Sequence, residues 1–380
     1  MTGILRHQRP LLWASITALL CALSLTACGG STLLGGSGGS SAGYPEVATK
    51  NTTRVAGGTT ADRAAAVSLA VWPGAGQHPS SVALLPGDWQ SALAAAPLAA
   101  PPFNAAFLMA NDGIPDSTQA ALDSLSPTGV KTSQGVKRIR IGNADDPGDS
   151  SQISADYPAA LADAVDQSRD AAGAQMTNSV VVVGTSGPEW SVPAGAWAAR
   201  SGDPILFAEK DALPQPTVAA VRRHGHPLIL LLAPVSTVSD AVAKQLQASG
   251  DVVRITGRTP TEAAIAFARF RDGDRGWGLL DPGHGFIFYN QSNPLDGIIS
   301  SPLSASGTWA ATIPLPSADA IPPSLDQYLR DVQPGFRDDP TRSVYNHGWL
   351  MGTTDSISQE AQAGLDRLLE IVPANERMNP

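Results

Sequence analysis

Asp112-Gly113-Ile114-Pro115, Asp211-Ala212-Leu213-Pro214 and Asp319-Ala320-Ile321-Pro322 are three versions of one tetrapeptide, about a hundred residues apart. A chain that repeats at a fixed period is read as copies of one unit. Each copy follows a short apolar run: Ala106-Phe107-Leu108-Met109, Pro204-Ile205-Leu206-Phe207 and Ala310-Ala311-Thr312-Ile313. Such runs suit strands covered on both faces. Proline is tolerated at a helix start, and a nearby Asp caps or favours the positive N-terminus. Helices are therefore predicted over Ser117 to Leu125, Thr217 to Arg223 and Ser324 to Val332, with the motif Asp residues as caps.

Further out, the copies keep the same order. An earlier apolar run stands in each: Val82-Ala83-Leu84-Leu85, Val180-Val181-Val182-Val183 and Phe286-Ile287-Phe288-Tyr289. Before it lies an alanine-rich helix, over Ala61 to Ala70, Tyr157 to Val165 and Thr261 to Ala268. Small side chains there let a helix approach a sheet closely. Two copies open with a matching lead-in, Arg54-Val55-Ala56-Gly57 and Arg254-Ile255-Thr256-Gly257, and Arg138-Ile139-Arg140-Ile141-Gly142 reads as a blurred third. A third strand follows in two copies, Leu228 to Leu232 and His347 to Met351, and is compressed around Val136 to Asp149 in the first. Strands alternating with helices predict a mostly parallel sheet between helices. The repeat modules are read as 45–150, 151–252 and 253–380.

Residues 1–27 read as an address. Arg6 and Arg9 precede an apolar run from Leu11 to Leu25, and Leu25-Thr26-Ala27-Cys28 closes it. This resembles the bacterial lipoprotein signal, which implies that Cys28 becomes the lipidated first residue of the mature chain. Cys21 lies within the segment to be removed, so no internal disulfide is expected. Residues 28–44 are the lipidated cysteine and a Gly/Ser tether, too polar and flexible to pack. No later stretch is long and apolar enough to span a bilayer. The expected location is the outer face of the cytoplasmic membrane.

The formal charge is −9, and losing Arg6 and Arg9 with no acid makes it two units more negative. So acidic a chain excludes nucleic acid as an expected partner, and it argues against a broad basic face.

The repeat itself resembles the type 2 cell-wall-binding repeat family. The likeness rests on the Arg-x-x-Gly lead-ins, the alanine-rich helices, Ala92-Leu93-Ala94-Ala95-Ala96-Pro97-Leu98, Pro204-Ile205-Leu206-Phe207, Asp211-Ala212-Leu213-Pro214 and Val238-Ser239-Asp240-Ala241-Val242. It covers nearly all of residues 53–372 in three tandem copies. The resemblance implies Rossmann-like α/β modules around a pseudo-threefold axis and non-covalent attachment to an anionic wall polymer. The family's Asp before the Ala-Leu segment survives only as Asp296, where the other copies carry Ser91 and Val192.

Ligands of open parallel sheets bind beyond the carboxyl ends of strands. The candidate polymer contacts there are Asp88, Trp89, Glu189, Trp190 and Asn293, since an indole covers a sugar face while acids and amides take hydroxyls. Trp89 and Trp190 equally suit packing between helix and sheet. Arg54 and Arg254 are candidates to hold phosphate, or to pair with acids between modules. His224-Gly225-His226 lacks further ligands at metal spacing and is expected to be an exposed turn. No phosphate-binding loop, serine elbow or convergent acid pair is present, so neither a cofactor nor catalysis is expected. The remaining readings are a solute-binding lipoprotein serving a transporter, or a glycan-acting envelope enzyme.

Overall fold

The computed structural model describes residues 47–55, 57–74, 76–305 and 310–375. Cys28 and the tether lie outside the described residues.

The apolar runs form the centres of three sheets with the same strand order. In the first, Ala105–Met109, Ser81–Leu85, Arg138–Ile141 and Ser151–Ile153 lie side by side, all parallel. The second orders Ile205–Ala208, Ser179–Gly184, Leu228–Leu232 and Asp251–Ile255 in the same way. The third orders Ala310–Leu315, Gly285–Asn290, His347–Met351 and Thr52–Val55, with Val47–Ala48 antiparallel at its edge. A two-stranded ribbon pairs Gly335–Phe336 with Val372–Pro373. The molecule is an α/β protein of three Rossmann-like modules, as expected.

The last strand of each sheet comes from the start of the next repeat. Ser151–Ile153 and Asp251–Ile255 are the lead-ins of the second and third repeats, yet they complete the first and second sheets. The lead-in of the first repeat, Thr52–Val55, is placed differently in the chain order. It completes the third sheet instead, Thr52 opposite Gly348 and Val55 opposite Met351. The strand Thr52–Val55 therefore closes the ring, and edge exposure on the third sheet is passed to the two-residue strand Val47–Ala48. The helix Gln359–Leu369 holds it down. Asp366 takes the Asn51 amide at 2.7 Å, its carbonyl takes the Asn51 side chain at 3.0 Å, and Lys50 pairs with Glu370.

This placement corrects one expectation. Arg138–Ile141 is the third strand of the first sheet, not the lead-in of the second repeat. The true lead-in is Ser151–Ile153, whose Gln152 occupies the position of Arg54 and Arg254.

The predicted helices form where their caps dictate. Thr59 and Asp62 make a reciprocal capping box at Thr60–Val71, and Thr259 accepts from the Glu262 amide at Pro260–Arg269. After the tetrapeptides, helices run Asp116–Leu125, Gln215–Arg223 and Pro323–Asp331. Their N-caps are Pro115, Pro214 and Pro322, with no side-chain cap bond, so the motif Asp residues do not cap. The first two helices are instead sewn to the strand before them. Thr118 donates to the Met109 carbonyl at 2.7 Å and Thr217 to the Phe207 carbonyl at 2.6 Å.

The modules meet through short helices of small residues. A Cβ at Gly195 would lie 2.7 Å from Ser301 Oγ, and one at Gly297 would lie 2.5 Å from Val192 Cγ1. Only glycine permits so close an approach. Helix Thr60–Val71 packs on Pro294–Ile299, Pro158–Ala171 on Trp89–Ala94, and Pro260–Arg269 on Pro188–Ser191, which is one contact repeated cyclically. One continuous apolar core runs through all three sheets. Among the described residues, no helix is long and apolar enough to cross a membrane.

Candidate functional site

In all three sheets the strand order reverses between the first and third strands, so the crevice beyond their carboxyl ends is where a ligand would be expected. In the third sheet this crevice lies between Asn290 and Gly352. Asn290 donates to the Ser356 carbonyl at 2.9 Å and accepts from the Ser292 amide at 3.0 Å. Asn293, exposed, reaches Ser356 Oγ at 3.5 Å. Gly352 adopts φ +113°, and a Cβ there would meet Ser356 at 2.7 Å.

Asp296 closes the crevice from the helix Pro294–Ile299. It is 0% exposed. Its Oδ1 accepts from Arg63 Nε at 2.8 Å and lies 2.7 Å from Nη2 in an ion pair, while Oδ2 is buried without a hydrogen-bond partner. That oxygen is aimed at the Gly352 loop, 3.4 Å from where a Cβ would stand. Burial pushes the Asp296 carboxyl up from its ordinary value, against the pull of Arg63. The Arg63 guanidinium also donates to the Gly57 carbonyl at 2.8 Å and to Thr60 at 3.2 Å. Nearby, Tyr289 packs on Gly297 with its hydroxyl buried and unpartnered. Burial first, then the Glu189 charge, raises its phenol well above the ordinary value.

The pair occurs once in three equivalent places. In the first sheet the same loop position is Gly142, and a Cβ there would lie 3.3 Å from Ser91 Oγ and 3.7 Å from Leu161. In the second, Ala233, Trp190, Pro193 and Ala263 line a small apolar void. Both charges are thus absent together from the other two junctions. Arg63 was missed in the sequence because an arginine in an alanine-rich helix looks solvated. Its signal was there: the corresponding positions carry Leu161 and Ala263, both apolar.

Both lead-in arginines are turned toward backbone carbonyls. Arg54 is 2% exposed. It donates to Gln362 Oε1 at 3.1 and 2.8 Å, and to the carbonyls of Gly352 and Thr353 at 2.9 and 3.0 Å. Arg254 donates to the carbonyls of Ala233 and Val238 at 2.7 and 2.9 Å, and it pairs at 3.3 Å with Asp240, in the first turn of the helix Asp240–Leu246 that follows the same sheet's third strand. Gln152 donates to the Gly142 carbonyl at 2.8 Å. All three grip the carbonyl just past the third strand and shape the crevice from behind.

The other candidates separate by sheet. Asp88 is exposed at the end of the first sheet and caps its helix by accepting from the Ser91 amide at 2.8 Å. Trp89 packs edge-on against Phe207 of the second sheet, centroids 6.1 Å apart. Neighbouring Gln90 donates to the Thr185 carbonyl at 2.8 Å. Glu189 and Trp190 are half-buried at the end of the second sheet, where Trp190 fills space against apolar side chains. Asn293 and Asp296 share the third crevice. His224 is buried, not in an exposed turn: its Nε2 lies 3.2 Å from both Asp166 oxygens and its Nδ1 3.0 Å from the Thr177 carbonyl.

No family model matches the chain, and no curated protein matches it. Solved structures do. Cwp6 from Clostridium difficile aligns with TM-score 0.65 at 17% identity, over 83% of this chain and 48% of that one. Cwp8 from Clostridium difficile aligns with TM-score 0.64 at 14% identity, over 84% of this chain and 52% of that one. The likeness is one of fold, and this chain spans about half the length of each.

Proposed function

We propose that this chain is a cell-envelope protein of the cell-wall-binding-repeat type, held to the membrane by lipid on Cys28 and binding a wall polymer or an envelope partner non-covalently. The observation that carries the reading is the three-sheet α/β ring shared with two cell wall proteins. The modules are 45–150, 151–252 and 253–380, and the tether 28–44 links the ring to the lipid.

With Arg54 and Arg254 turned inward, recognition falls to groups that bond hydroxyls. Asp88, Glu189 and Asn293 stand at the carboxyl ends of the three sheets in accessible positions. On this reading the protein is a binder with no reaction of its own. The test is sedimentation of residues 45–380 with cell-wall sacculi before and after acid extraction of secondary polymers. Co-sedimentation that disappears on extraction, and that weakens when Asp88, Glu189 and Asn293 are together replaced by Ala, supports the proposal. Absence of sedimentation in both conditions overturns wall binding.

A further inference from the structure

At the opposite, amino ends of the second sheet lies a cleft of about 420 Å³, within the size range of small-molecule sites. Its floor is Asp203, 2% exposed. Asp203 Oδ2 accepts from Ser179 Oγ at 2.6 Å and from Trp197 Nε1 at 2.7 Å. Trp197 is itself locked edge-on against Trp277, centroids 5.3 Å apart, so the donor direction is fixed by packing.

The fold does not require this carboxylate. Each sheet pairs its first and second strands in a defined register, and that register puts Asp203 where the first and third sheets carry Ala105 and Ala310. Two of three copies thus build the same strand start with a methyl group. A buried acid costs several kcal/mol unless its bonds compensate, and this one lines an open cleft.

The rest of the lining indicates the ligand class. Exposed Asn178 and Gln175 bring amides, Arg200 and Arg275 bring guanidiniums, and Met176, 52% exposed, forms an apolar lip. Asp203 and Asp274 line the cleft with the two arginines, and Arg275 is also paired with Asp272 at 2.6 Å, so the cleft carries no surplus of positive charge for an anion. Planar polar groups converging beside an aromatic edge suit a polyhydroxylated ring. We propose that the cleft floored by Asp203 binds a neutral saccharide, with its hydroxyls bonded by Asp203, Asn178 and Arg200. The assignment does not rest on wall binding, which was placed at the carboxyl ends of the sheets.

The experiment is calorimetric titration of the purified full chain with N,N′-diacetylchitobiose, cellobiose and maltose. Saturable binding of at least one sugar is expected. Asp203→Ala, which installs the residue of the other two sheets, should weaken it by at least about tenfold, the loss of one charged hydrogen bond. Asn178→Trp, which fills the cleft from an exposed position, should do the same while leaving the thermal melt unchanged, and it reads the site even where Asp203→Ala perturbs folding. No binding of any of the three sugars overturns the proposal. So does binding that survives Asn178→Trp, or that is lost only on joint replacement of Asp88, Glu189 and Asn293, or titration by glutamate in place of the sugars.

Discussion

Arg54 donates to the carbonyl of Gly352, 298 residues away in the chain. That bond ties the strand Thr52–Val55 to the crevice of the third sheet. With Gln362 on its other edge, the guanidinium locks the ring shut from inside the core. Gln362 in turn donates to Thr52 at 3.2 Å, so this buried polar group has its bonds satisfied.

Arg54→Ala should therefore destabilise the protein by about 3 kcal/mol, since hydrogen bonds to charged groups are the stronger kind and Gln362 is left buried without them. Arg54→Gln should lose less, because Gln152 performs the same task in the first sheet. Urea unfolding of the two variants measures the difference. Equal losses would show that the carbonyl grip carries no weight.

The Arg63–Asp296 pair makes a second prediction. Breaking a buried pair from one side costs about 3–5 kcal/mol, while replacing both partners by residues that fit is often nearly neutral. Arg63→Leu and Asp296→Ser install, one at a time, the residues of the first sheet's junction, Leu161 and Ser91. Each alone should destabilise strongly. The double variant should recover most of the loss, and a double-mutant cycle reads the coupling. Strict additivity would contradict the pairing.

Stability should depend on pH through His224. Its folded value is raised above 6.5: burial lowers it, but the hydrogen bond and charge of Asp166, the Thr177 carbonyl and the Asp170 charge together prevail. A group bound more tightly to its proton in the folded state contributes fully below its unfolded pKa. That contribution is lost as pH rises through the folded pKa. His347 is shifted the opposite way by burial, so the variant difference isolates His224. His224→Gln should be most destabilising below pH 6.5 and progressively less so above it. A pH-independent difference in melting would rule this out.

Much of the fold was legible in the sequence. The tetrapeptides and apolar runs located strands such as Val180 to Val183 because a strand buried on both faces must be continuously apolar. The alanine-rich runs located the helices Thr60–Val71 and Pro260–Arg269, while the caps Thr59 and Thr259 emerged only with the structure. Which sheet receives a lead-in strand was not legible, since parallel pairing is set by distant chain and leaves no local trace. The middle lead-in was misplaced for the same reason: Arg138-Ile139-Arg140-Ile141 matches the pattern better than Ser151-Gln152-Ile153, although only the latter pairs as a lead-in. Arg54 and Arg254 were candidates to hold phosphate or to pair with acids, because a carbonyl clamp, a phosphate fork and an acid pair use the same guanidinium donors. Burial alone tells them apart. The His224 environment was hidden likewise, because Asp166 lies 58 residues away and meets it only after folding.

The closed ring is the claim on which the site and its neighbours rest, and a crosslink tests it most directly. Thr53 and Trp349 face each other in register on adjacent strands, and both are half-buried. Cys21 and Cys28 are the chain's only cysteines and both precede residue 45, so Thr53→Cys with Trp349→Cys in residues 45–380 creates one possible disulfide. Paired strand positions bring Cα atoms within disulfide range. The account predicts near-complete oxidation in the native protein, seen as a reducible shift in gel mobility, and none after unfolding in urea. Free thiols in the native, oxidised sample would contradict closure of the third sheet by the strand Thr52–Val55.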